Sequence, residues 1–138
     1  MPTPSIGETI TTDRARALGL ELGAMFDYIV QRIDASPGDF KDWVFDGASM
    51  VPDELTAKLL HIPHLIDIAL KHDPKYAYGE LGNDAERLRT DQDFKQDLLA
   101  DGADQLIAEA MFQAVRIGGS EHTKSRFSWG FARINRRN

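Results

Sequence analysis

At 138 residues and 15.4 kDa the chain has the length of one ordinary domain, and its 42% hydrophobic and 28% charged residues match a globular protein rather than a disordered or fibrous one. It has no cysteine, which excludes disulfides, zinc–thiolate sites, iron–sulfur clusters and thiol nucleophiles, and its net charge of −6 argues against general affinity for nucleic acid. No apolar run is long enough to cross a bilayer, and the start, MPTPSIGETITTD, has neither a basic nor an apolar leader region, so a cytoplasmic location without membrane contact is expected.

Residues 1–12 carry Pro2, Pro4 and Gly7 and no apolar period, which predicts a flexible N-terminal arm. From Thr12 a stripe of Ala15, Leu18, Leu22, Met25, Phe26, Ile29 and Ile33 follows the three-and-four spacing of one amphipathic helix. Gly19 and Gly23 each cost roughly 1 kcal/mol against Ala in a helix interior, and a close crossing by another helix explains them. Ser36-Pro37-Gly38-Asp39 combines an N-cap, a proline at the first helical position and an early acid, predicting a short helix with Phe40, Trp43 and Val44 on its apolar face up to Gly47.

Val51-Pro52-Asp53-Glu54 repeats that signal for a helix through Leu55, Leu59, Leu60 and Ile62, and Pro63 opens another running to Asp73-Pro74. The span from Pro74 to Asn83 reads as a packed loop, with Tyr76, Tyr78, Gly79 and Gly82 breaking every period. Asn83 caps a short turn through Leu88, and Thr90-Asp91-Gln92-Asp93 resembles a capping box that starts a long helix, broken near Gly102 and ended by Gly118-Gly119. At the end, Phe127, Trp129 and Phe131 alternate with small residues at a period of two, which suits an extended, strand-like segment.

These signals make the fold mainly α: a single-domain helical bundle of about five to six helices with an extended, strand-like tail. The domain reading is a flexible arm over 1–12, a helical domain over 13–120 and a basic aromatic tail over 121–138. The tail holds five basic side chains, Lys124, Arg126, Arg133, Arg136 and Arg137, against Glu121 alone, a local charge of +4 that leaves −10 on residues 1–120.

Four constellations are candidates for function. His61, His64 and His72 with Asp73 are competent ligands for a transition metal and suggest a metal-dependent hydrolase, although histidines near helix ends explain them more simply. Residues 53–72, DELTAKLLHIPHLIDIALKH, have the outline of a degenerate helix-turn-helix, although two core helices meeting at a proline fit the same residues. Asp93, Asp97, Asp101 and Asp104 fall on one helical face and invite a cation or a basic partner. The tail interleaves Phe127, Trp129 and Phe131 with Arg133 and Arg136, a pattern that stacks on nucleic acid, anchors on an acidic protein groove, or closes the core.

No phosphate loop, nucleophile elbow or calcium loop is present, and no cofactor is called for. The leading expectation is a small non-enzymatic interaction or regulatory protein that binds a protein partner and forms homo-oligomers, using Phe127, Trp129, Phe131, Arg133 and Arg136 against Asp93, Asp97 and Asp101. Nucleic-acid binding through residues 53–72 or the tail is the alternative, and the metal-dependent hydrolase the second.

Overall fold

The structure is a computed structural model and describes residues 4–45, 62–123, 125 and 127–134. Thr11 caps the first helix, α1 (Thr12–Leu22), its hydroxyl accepting the Arg14 backbone N–H at 3.1 Å. The stripe from Ala15 to Ile33 predicts one helix, but the chain breaks at Gly23, whose φ of +106° is open to glycine without strain. It passes through a 3-10 turn (Ala24–Phe26) into α2 (Asp27–Ala35), which folds back on α1. A Cβ on Gly19 would stand 2.8 Å from Val30 Cγ2, so the close crossing expected there is made by α2.

Ser36-Pro37-Gly38-Asp39 gives a single 3-10 turn (Pro37–Asp39) and not the predicted helix. Beyond it the chain is extended, because Trp43 and Phe45 are buried on either side of exposed Val44, a period of two that a helix cannot satisfy. This segment forms β2 (Trp43–Val44), antiparallel to β1 (Thr9–Ile10), with Thr9 opposite Val44 and Ile10 opposite Trp43. Residues 7–10, expected in a flexible arm, are therefore tied down. Gly7 N–H donates to Phe45 C=O at 2.7 Å, Phe45 N–H to Glu8 C=O at 2.9 Å, and Ile10 is fully buried.

The helix predicted over 51–62 lies outside the described residues. The next helix, α3 (Leu65–Ala77), runs through Pro74 instead of stopping there. An internal proline costs about 3 kcal/mol, but Tyr76, Ala77 and Tyr78 are completely buried, and an aromatic side chain removed from water returns a comparable amount. Asn83 caps α4 (Asp84–Ala100), its side chain accepting the Glu86 N–H at 3.0 Å. That helix is continuous, so Thr90-Asp91-Gln92-Asp93 lies in its middle and starts nothing. The break near Gly102 is as predicted. Asp104 then caps α5 (Gln105–Gly118), accepting the Leu106 N–H at 2.7 Å.

Among the described residues the chain is thus mainly helical, with five helices and one two-stranded sheet. Its apolar interior forms two clusters. One gathers α1, α2, the sheet, the end of α3 and the tail around Ile10, Phe26, Trp43, Tyr78 and Trp129; the other gathers Ile68, Phe94, Leu98, Met111 and Val115 between α3, α4 and α5. Helix α3 contributes to both.

Candidate functional site

The described part of the tail, residues 127–134, does not form the strand-like arm that its alternation predicts. Residues 127–132 wind through turns, and only Arg133 makes a bridge, antiparallel to Phe40. Gly130 N–H donates to Tyr76 C=O at 2.8 Å, Ala132 N–H to Ala77 C=O at 3.1 Å, and Lys41 N–H to Ala132 C=O at 2.8 Å. Trp129 is 1% exposed, lies edge-on to Tyr76 with ring centroids 4.9 Å apart, and donates its indole N–H to Glu80 C=O at 2.7 Å. Phe131 is buried edge-on to Trp43.

Trp129 and Phe131, expected as anchors for a partner or platforms for bases, are therefore turned into the core of their own chain. Phe127 is half-buried. Arg133 lies over the Phe40 ring and donates to Gly79 C=O at 2.6 Å and Tyr78 C=O at 3.2 Å, with burial and the nearby Arg32 holding its pKa below the usual guanidinium value. Arg136 lies outside the described residues.

The acidic row is broken up in a similar way. Asp93 pairs with Lys75 at 3.4 Å. Asp101 accepts both the backbone N–H and the ring Nδ1 of His64, each at 2.7 Å. Asp104 is spent on its own helix cap, and Asp97 is half-buried beside Lys71. The described part of the tail packs against α3 and the 40–45 segment and not on this row.

The histidines go to different carboxylates. His64 is held by Asp101, whereas His72 is buried, stacked on Phe94, with Nε2 3.2 Å from Asp91. Asp73 is buried on α3, and His61, with residues 53–61 of the helix-turn-helix outline, lies outside the described residues. Among the described residues no three His, Cys, Asp or Glu side chains come together as metal ligands.

Asp91 is the centre of a buried polar junction that the sequence does not announce. Its Oδ1 accepts the Tyr76 hydroxyl at 2.6 Å and its Oδ2 accepts Arg116 at 2.8 Å, while Arg87 reaches Arg116 C=O at 3.2 Å. Desolvation and then the Asp91 charge push the Tyr76 hydroxyl far above its ordinary pKa, so it stays a donor. The junction lies between the two apolar clusters, with Asp91, Tyr76, His72 and Arg87 buried and Arg116 partly exposed at its edge.

Among the described residues the two most exposed large aliphatic side chains are both on α5. Its inner face, Ala108, Met111 and Val115, is buried, yet at 100° per residue Leu106, Ala110, Gln113 and Ile117 project on the opposite side. Leu106 is 80% exposed and Ile117 74%. Spacings of four, three and four form a straight seam about 16 Å long at 1.5 Å per residue. Glu109 and Arg116 stand beside it, paired to Lys95 and Asp91. Projecting each residue around the helix axis separates this face from the buried one.

No family model matches the chain, and neither a curated protein nor a solved structure is significantly similar to it.

Proposed function

We propose that this chain is a non-enzymatic helical interaction protein that works by protein–protein docking, with the outward seam of α5 as its docking surface. The observation that carries the reading is the pair Leu106 and Ile117, two large aliphatic side chains almost fully in water on one helical face. Burying each on a partner contributes about 1.5–3 kcal/mol. The four–three–four spacing is that of a coiled-coil seam, and Ala110 at its middle leaves room for a large side chain from outside.

The occupant is an amphipathic helix of a partner protein with basic flanks, since it approaches a molecule of net charge −6. A seam on one short helix buries less than the roughly 1,600 Å² of a standard stable interface, so the complex is reversible, as suits a regulator. A cytoplasmic location belongs to the same proposal; no described helix is long and apolar enough to cross a membrane.

The test is the double variant Leu106→Glu/Ile117→Glu, which changes only exposed positions and leaves the circular dichroism spectrum intact. A partner captured by the wild type should be lost from this variant, and its addition should shift amide resonances along α5. Equal capture by both forms refutes the proposal. Sedimentation of the protein alone at rising concentration shows whether a second copy occupies the seam instead.

A further inference from the structure

Helices α2 and α4 do not close against each other along their whole length. Between them is a cleft of about 630 Å³, within the range of small-molecule sites, with Lys75 of α3 also in its lining. Glu86, Arg89, Thr90 and Asp93 of α4 have spacings of three, one and three and so share one helical face, and Tyr28 and Arg32 are one turn apart on α2.

Two ion pairs border the cleft, and they differ in quality. Arg32 grips Glu86 through two contacts of 2.7 Å, which fixes one wall. Lys75 is only 7% exposed, yet its ammonium is 3.4 Å from Asp93 and 5.2 Å from the Phe26 ring centroid, a long contact for a desolvated charge. Arg89 is exposed and has no hydrogen bond or ion pair among the described residues. The Tyr28 hydroxyl has no hydrogen-bond partner among them either, and burial followed by the Glu86 charge pushes its pKa up to about 12, so it remains a neutral donor.

Three cations, Arg32, Lys75 and Arg89, against two carboxylates, Glu86 and Asp93, leave the cleft one positive charge in excess on a chain whose net charge is −6. A single anionic group neutralises that excess. Met25 and the Tyr28 ring add an apolar wall beside it.

We propose that this cleft is a binding site for a small organic monocarboxylate, its carboxylate held between Arg89 and Lys75 and its apolar body against Met25 and Tyr28. The carboxylate gives Lys75 a closer counter-ion than Asp93 and gives Arg89 its partner, and the Tyr28 hydroxyl donates to the same group or to a polar atom beside it. The site is separate from the α5 seam and stands or falls independently of it.

The test is a titration of the full chain, followed by backbone amide resonances, with phenylacetate, its neutral isostere phenylacetamide, and inorganic phosphate. Phenylacetate should give saturable shifts at Tyr28, Arg89 and Thr90. Arg89→Ala, at an exposed position, should leave the spectrum otherwise unchanged and weaken binding about tenfold or more, as expected for loss of a hydrogen bond to a charged group. Tyr28→Phe should weaken it by a smaller factor. The proposal is overturned if phenylacetate fails to saturate, if the amide binds equally well, if phosphate binds as tightly as phenylacetate, or if Arg89→Ala binds like the wild type.

Discussion

Asp91 is the carboxylate on which the buried polar junction converges. It is fully buried and accepts from Tyr76 and Arg116 with His72 beside it, so removing its charge takes the counter-ion from the partly exposed Arg116 and leaves the Tyr76 hydroxyl only a long 3.4 Å contact to Val115 C=O. Breaking a buried pair from one side typically costs about 3–5 kcal/mol. We expect Asp91→Ala to lose stability on that scale in urea unfolding, and Asp91→Asn, which keeps one acceptor, to lose distinctly less. A second residue-scale prediction concerns Gly79. A Cβ there would lie 2.3 Å from the Trp129 indole, and Trp129 is pinned by its bond to Glu80, so the ring cannot step aside. Gly79→Ala should therefore destabilise by roughly 1–3 kcal/mol, as overpacking does, and should shift the tryptophan fluorescence, whereas Gly38→Ala, whose Cβ meets nothing within 4 Å, should leave that fluorescence unchanged.

Between elements, the junction of α3 with the end of α4 depends on pH. The hydrogen bond to Asp101, and then its charge, raise the His64 pKa above its ordinary 6.5, and the same bond lowers Asp101 below 3.8. A raised histidine contributes stability that is complete below 6.5 and fades as pH rises through the higher folded value. A lowered carboxylate contributes above 3.8 and loses its effect as pH falls through the lower one. The melting temperature of the wild type should thus exceed that of His64→Ala most between about pH 4 and 6.5, and the gap should narrow above it; a gap independent of pH would contradict the pairing. What the sequence reveals at this scale follows from what decides each element. The caps at Asn83 and the stop at Gly118 are local and legible. Pro74 misleads because the burial that carries α3 past it comes from residues distant in sequence, among them Trp129. Trp43 misleads in the opposite direction, since a helix-start signal at Ser36 is outweighed by pairing with Thr9–Ile10, more than thirty residues back. The tail aromatics are readable as residues that must be buried. Where they are buried is not, because the receiving surface is built from α3 and the 40–45 segment.

For the whole molecule, the question is which charges and apolar groups still face outward once the chain has paired its own. The described part of the tail is not a free surface but covalent filling for the first apolar cluster: Trp129, Phe131 and Ala132 are buried with Ile10, Phe26 and Tyr78. Removal of residues 121–138 accordingly acts on stability before it acts on recognition. Phe or Trp truncations in a core cost about 3–5 kcal/mol each, and a domain of this size has only about 5–15 kcal/mol in total. The truncated chain is expected to lose its near-ultraviolet dichroism and cooperative melting, with α4 and α5, which pack on a separate cluster, the last to lose helical signal. A truncated chain that melted like the wild type would mean that the aromatics are not core. The milder change Arg133→Ala separates the two roles: it removes the contacts to Gly79 and Tyr78 but leaves Trp129 in place, so it should lower the melting temperature by a few degrees and leave binding at the α5 seam unchanged.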